Sequence, residues 1–370
     1  MKNRLTVNFK HALAAGFLFL SFGLASCGGG SGSGNGSDST ATGNSDANTL
    51  IGAGSSFDYP LFSKLFSEYN KLNGLRINYQ SVGSGAGISQ LTNKTVDFGA
   101  SDAPMNGKQD SAAPAAVLHI PVTAGAVAIS YNLADVKDTL NLTPSLLADI
   151  FLGKISQWDD PKIREVNKGV KLPKLPILIS HRSDGSGTTN IFTTYLSKIS
   201  DEWTAKVGKG SSVNWPKGLG GKGTEGVAGM IKQTPGSIGY IELAYAIQNN
   251  MAYAKVQNKS GNFILPSIAS VTAAANIAIP ADSKVSLTNT DASDGYPISG
   301  FSWILIYKEQ KYNDRSADRA SRLLKLISWV IHDGQQYSGP LTYAPLSAAA
   351  VTTGDAILKS ATYDGKPILP

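Results

Sequence analysis

The stretch ISHRSDGSGTTNIFTTYL, from Ile179 to Leu196, places several chemically capable residues close together. An apolar run ends in Arg182, Asp184 follows, and Gly185-Ser186-Gly187-Thr188 opens an amphipathic pattern. The first turn of a helix carries N–H groups without intrahelical partners and a partial positive charge. Glycines let a ligand approach the backbone, and Ser186 and Thr188 add hydroxyl donors. Arg182 brings a permanent charge and a planar donor fork. The combination suits an oxyanion. The same residues would also make an ordinary capped helix start beside a surface ion pair, so this stretch alone does not decide.

Three other turns share its chemistry. GAGSSF offers Ser56 and the N–H of Phe57, SVGSGAG offers Ser84, and FGASDAP offers Asp102. Each is weak alone, because Gly-Ser turns are mostly just turns. Together the four supply donors, one arginine and one carboxylate, all where a strand gives way to a helix. The carboxylate among anion donors needs a reason. GLGGKG, Gly218 to Gly223, fits a dinucleotide fingerprint in letters only: it follows Trp215-Pro216 where that motif needs a strand, and reads as a tight surface loop. No phosphate-binding P-loop and no nucleophile elbow occurs. The four histidines, His11, His119, His181 and His332, include no pair with metal-ligand spacing, so neither metal nor cofactor is expected.

The elements that must position these turns are legible as an alternation of strands and helices. TLIGAG reads as a strand and YPLFSKLFSEYNKL as a helix, with Pro60 in its first turn and Leu61, Phe62, Leu65, Phe66, Tyr69 and Leu72 on one face. LRINYQSV alternates as a strand, ISQLTN reads as a helix, and TVDFGASD as a strand ending at Ser101-Asp102. VLHIPVTAGAVAISYNL reads as two adjacent strands. TPSLLADIFLG is a helix capped by Thr143, LPILIS a buried strand, TEGVAGMIKQ a capped helix, GSIGYIELAYAI a strand then a helix, SGFSWILIYK a strand, and ASRLLKLISWVIH an amphipathic helix. In open α/β sheets the carboxyl ends of the strands are where ligands bind.

The 370-residue chain carries a formal charge of +6. Its first residues, basic MKNR and the apolar run ALAAGFLFLSFGL, read as a signal peptide over 1–26, too short for a comfortable membrane span. Its removal takes Lys2, Arg4 and Lys10, leaving 30 basic against 27 acidic residues, or +3. No basic patch with interleaved aromatics stands out, so nucleic acid is not an expected partner. The one cysteine, Cys27, ends LASC, which resembles a bacterial lipobox and implies lipidation of its thiol; the other reading is a secreted protein whose cysteine merely lies near a cleavage site. A lone cysteine leaves no intrachain disulfide. Residues 27–49, rich in glycine and serine, read as a flexible tether spanning on the order of 25 Å.

Taken in order, GAGSSF, INYQSVGSGAG, TVDFGASDAP, FLGKISQWDDP, RSDGSGTTNIFTTYL, VNWPKGLGGKG, GSIGYIELAYA and FSWILIYK resemble the periplasmic phosphate-binding proteins that feed ABC phosphate transporters. The likeness runs from about Leu50 to Tyr343. It implies an α/β, type II-like periplasmic-binding-protein fold of two lobes joined by a hinge, each a mixed sheet flanked by helices, with phosphate between them. Lobe 1 would comprise 50–128 and 301–370, and lobe 2 residues 129–300. It implies that Ser56, Phe57, Ser84 and Asp102 hold phosphate from one lobe, with Arg182, Ser186, Gly187 and Thr188 from the other, and that Asp184 pairs with Arg182. It also implies, as partners, inorganic phosphate and the permease subunits with their ATPase, and a non-enzymatic role outside the cytoplasmic membrane. Asp102 then has its reason: phosphate near neutral pH carries a proton, which a carboxylate accepts in a charge-assisted bond, while sulfate offers none. The rival readings are a secreted phosphatase, which would need a nucleophile with partners or a metal cluster, and a surface adhesion lipoprotein.

Overall fold

The computed structural model describes residues 48–370. The expected signal peptide, Cys27 and the tether up to residue 47 lie outside the described residues. No helix among the described residues is long and apolar enough to cross a membrane.

Parallel pairing follows from strands separated by helices, because such strands need a crossover to run the same way. Strand β1 (Thr49–Gly54) lies between β2 (Arg76–Ser81) and β3 (Phe98–Ser101), parallel to both. Helix α1 (Tyr59–Asn73) links β1 to β2, and α2 (Ser84–Thr92) links β2 to β3. Leu61, Phe62, Leu65, Phe66 and Tyr69 are the buried face of α1. Leu72, expected on that face, is 66% exposed: the last turn, just before the left-handed Gly74 that ends the helix, reaches past the packed surface.

The two strands expected over VLHIPVTAGAVAISYNL are a single strand, β4 (Val117–Tyr131), of 15 residues. Gly125 is not a turn: a Cβ there would lie 2.6 Å from the Phe57 ring, so the glycine serves a close approach. Pro121, which cannot donate to a ladder, sits where the pairing with β9 (Ser299–Tyr307, named here ahead of β5 to β8) shifts register between Ser302 and Trp303. After β4 come α3 (Pro144–Phe151), which Thr143 caps through the Leu146 N–H, and then β5 (Leu178–Arg182). Helix α4 (Gly187–Ile199), β6 (Leu219–Gly221), α5 (Gly223–Gln233), β7 (Ser237–Glu242), α6 (Leu243–Gln248) and β8 (Ala252–Tyr253) follow, and α7 (Ala317–Ile331) lies after β9.

The nine-stranded sheet runs β2-β1-β3-β9-β4-β7-β5-β6, with β8 also on β4. Along β4, residues up to Ala126 pair with β9 and residues from Val127 pair with β7. A parallel trio therefore flanks the long strand on each side: β1, β2 and β3 in one, β5, β6 and β7 in the other. This is the expected α/β fold, a curled mixed sheet with helices flanking it; where each lobe was expected to have its own mixed sheet, β4 joins the strands into a single one. LPILIS is less buried than expected, with Leu178 44% exposed.

Candidate anion-binding site

Arg182 is the last residue of β5, so its side chain leaves the sheet at the carboxyl end. It is buried, and its backbone N–H donates to the Tyr240 hydroxyl at 3.0 Å. Its fork is held by Asp184: Nε donates to Oδ1 at 2.8 Å and Nη2 to Oδ2 at 2.5 Å. The Gly223 N–H also donates to Asp184 at 3.1 Å. Burial alone would raise the Asp184 carboxyl, but the Arg182 fork, its charge and the Gly223 N–H outweigh that and hold it below its ordinary value. The remaining donor nitrogen, Nη1, reaches Thr224 Oγ1 at 3.3 Å.

Thr224 ties the second half of the chain to the first. Its N–H donates to Ser56 Oγ at 3.0 Å, and the two hydroxyl oxygens lie 3.0 Å apart. Ser56 and Phe57 form the turn between β1 and α1; the Ser56 carbonyl accepts the Tyr245 hydroxyl at 2.8 Å, and the Phe57 carbonyl accepts that of Tyr343 at 2.6 Å. These carbonyl anchors orient the turn. Ser84 opens α2, and its hydroxyl accepts the Gly187 N–H from across the site at 3.1 Å. The Gly85 N–H donates to the Gly185 carbonyl at 2.9 Å, so the two glycine turns meet backbone to backbone.

At the head of α4, Ser186 is the helix cap. Its hydroxyl accepts the Thr189 N–H at 3.0 Å and its own N–H donates to the Ser211 carbonyl at 2.8 Å, leaving only its hydroxyl proton to give. Thr188 Oγ1 is buried without a hydrogen-bond partner among the described residues. A Cβ at Gly187 would lie 2.5 Å from Asp102 Oδ2 and 2.6 Å from Ser84 Oγ, so only glycine lets the helix head approach the carboxylate. Asp102, just beyond β3, is buried; Oδ1 accepts the Ser55 hydroxyl at 2.5 Å and the Ser302 hydroxyl at 2.7 Å, while Oδ2 faces Ser84 Oγ at 3.5 Å. Burial raises this carboxyl above its ordinary value, against the Ser55 and Ser302 hydroxyls and the Arg182 charge.

The expected residues thus gather at one place from the ends of both parallel trios. Ser56, Ser84, Asp102, Arg182, Asp184 and Gly187 are joined by the contacts above; Phe57 and Thr188 sit beside them in the same turns; Ser186 is present mainly as a cap. Sequence reasoning missed Thr224, Ser55, Ser302 and Asp58. Thr224 lies in the first turn of α5, a second helix head, and the glycine run before it read as no more than a tight surface loop. That run is not simply a surface loop: it forms edge strand β6, parallel to β5, and brings Gly223 onto Asp184. Ser302 carried a signal, a hydroxyl set among the large apolar residues of a fully buried strand. Ser55 and Asp58 carried none, since long-range packing alone brings them to Asp102.

Residues 39–333 match the model of the PBP superfamily domain. A phosphate-binding protein PstS from Xylella fastidiosa is 46% identical over 299 residues, 80% of each chain. One from Haemophilus influenzae is 44% identical over 313 residues, covering 84% of this chain and 92% of the relative. Among solved structures, a periplasmic phosphate-binding protein named PfluDING, bound with phosphate, aligns with a TM-score of 0.66 at 21% identity over 83% of this chain and 93% of that one. A substrate-binding protein from Clostridium perfringens, also with bound phosphate, gives 0.60 at 16% identity over 81% and 100%. The chain belongs to the PBP superfamily and, within it, to the PstS family of phosphate-binding proteins.

Proposed function

We propose that this protein binds inorganic phosphate tightly outside the cytoplasmic membrane and delivers it to an ABC permease with its ATPase, without catalysing a reaction. Arg182 supplies the charge. Ser56, Ser84, Ser186 and Thr188 supply hydroxyls, and Phe57 and Thr188 supply backbone N–H groups, joined by that of Gly187 once the anion takes the place of Ser84 Oγ. Asp102 accepts the proton that phosphate carries, and Asp184 holds the Arg182 fork in register. Lobe 1 comprises 50–128 and 301–370, lobe 2 comprises 129–300, and closure over the anion removes water and strengthens each hydrogen bond. Lipid on Cys27 moors the folded part to a membrane. The observation that carries this reading is Asp102: a buried carboxylate aimed at a helix head, among anion donors and across from a buried arginine.

Titration calorimetry of the full chain with inorganic phosphate tests it, beside an assay of phosphate release from a chromogenic monoester. Saturable one-to-one phosphate binding without release supports the reading. Turnover of the monoester would make the protein a phosphatase, and absence of phosphate binding would refute the proposal.

A further inference from the structure

Asp58 lies in the turn between β1 and α1, fully buried, beside Asp102 and apart from the donors gathered around Arg182. Its Oδ2 makes a short contact with Ser302 Oγ, and the same Ser302 Oγ lies 2.7 Å from Asp102 Oδ1. A serine hydroxyl has one proton to donate. With a carboxylate oxygen on each side, it satisfies one of them, and the other contact needs a proton that belongs to a carboxyl group. One of the two aspartates is therefore a neutral acid.

Their surroundings tell which. Asp102 has donors on Oδ1 from Ser55 and Ser302, faces the Ser84 hydroxyl with Oδ2, and feels the charge of Arg182. Asp58 has the Ser55 and Ser302 hydroxyls and the Asp102 carboxyl against it but no cation beside it, and its Oδ1 is buried with no hydrogen-bond partner among the described residues. An ionised Asp58 would leave a charged oxygen unsatisfied in the interior, the costlier arrangement. The other titratable groups facing Asp58 are Asp102, Glu242, Tyr79, Tyr245 and Tyr343, acidic or neutral, so none offers it a positive charge.

We propose that Asp58 is a buried neutral carboxylic acid that donates to Ser302, which in turn donates to Asp102, and that this relay keeps Asp102 an ionised acceptor facing the anion. Asp58 is thus a positioning residue for selectivity between oxyanions that carry a proton and those that do not. Burial and the Asp102 charge both raise the Asp58 carboxyl well above its ordinary value, in line with the geometry. The inference rests on Asp102 being the phosphate acceptor, but the location of the proton can be read without any ligand.

The test uses the full chain with Asp58→Ala and Asp58→Asn, titrated with inorganic phosphate and with sulfate near pH 7, and infrared spectra of the carboxylic-acid C=O stretch. Asp58→Ala removes the donor to Ser302, whose proton can then turn to the Ser101 carbonyl, 3.4 Å away. Asp102 loses a hydrogen bond, takes up a proton at higher pH and can then donate to sulfate, so the phosphate-to-sulfate ratio should fall by about tenfold. Asp58→Asn restores a permanent donor and should restore the ratio, while its spectrum loses one acid C=O band relative to wild type; bands from other buried acids such as Glu242 cancel in that difference. If both variants instead tighten binding of both anions, Asp58 carried a negative charge and the proposal is wrong. An acid band unchanged in Asp58→Asn overturns it equally, and that reading stands even if a variant binds poorly. A wild type that binds neither anion would sink the phosphate reading, and the infrared difference would still decide where the proton resides.

Discussion

In the proposed site, Arg182 should be the residue on which affinity turns. It is the cation brought to the cluster of Ser56, Ser84, Asp102 and Gly187, and Asp184 already offsets part of its charge. Arg182→Ala should weaken phosphate binding by roughly 30- to several-thousand-fold, the cost of about 2–5 kcal/mol for stripping one partner from a buried charge contact. Arg182→Lys should recover only part of the loss, because a point charge cannot copy a fork that bonds Asp184 twice and Thr224 once. Calorimetry measures both variants, and undiminished affinity in the alanine form would place Arg182 outside the site. At this scale the sequence was most informative where a residue was conspicuous in its own turn, as Arg182 and Asp102 are. It was silent on Ser55 and Asp58, whose importance lies in contacts across the fold.

At the level of elements, the site is a meeting of strand ends and helix heads, and two glycine turns decide how closely they meet. Gly85 at the head of α2 and Gly185 before α4 touch through backbone atoms. A Cβ on Gly85 would lie 3.0 Å from Gly185 Cα and 3.3 Å from its carbonyl oxygen. Neither backbone atom can swing aside as a side chain would. Gly85→Ala should therefore act as a wedge and weaken phosphate binding about 10- to 100-fold, while thermal unfolding without ligand changes little. Unaltered affinity would mean that these turns do not meet in the bound state. The strand–helix alternation was legible because apolar periodicity is local. The continuity of β4 was not: Pro121 and Gly125 look like punctuation, yet one sits at a bulge and the other makes room for the Phe57 ring.

For the whole molecule, the long strand β4 passes from one parallel trio to the other, and the proposed function has binding bring the two together. The expected anchor would place this machinery beside its permease. Cys27→Ser should leave phosphate affinity intact and move the protein to the soluble fraction, with an unlipidated N-terminus by mass spectrometry. A wild type that is soluble with an unmodified Cys27 would contradict the anchor. The α/β plan was readable from the order of the motifs. The closeness of the two trios was not, since contacts such as Ser56 with Thr224 join residues far apart in the chain. The central claim is that the folded protein selects an anion by the proton it carries, and that Asp102 reads that proton. The most direct measurement is the ratio of phosphate to sulfate affinity by competition titration near pH 7, at fixed ionic strength, in wild type and Asp102→Asn. A site built to bond a ligand hydroxyl can reject the isostere lacking it by about 10⁴-fold or more, so wild type should strongly prefer phosphate. In Asp102→Asn the ratio should drop, chiefly because sulfate now meets an amide N–H instead of a negative oxygen. A folded Asp102→Asn protein with the wild-type ratio would show that the discriminating acceptor lies elsewhere.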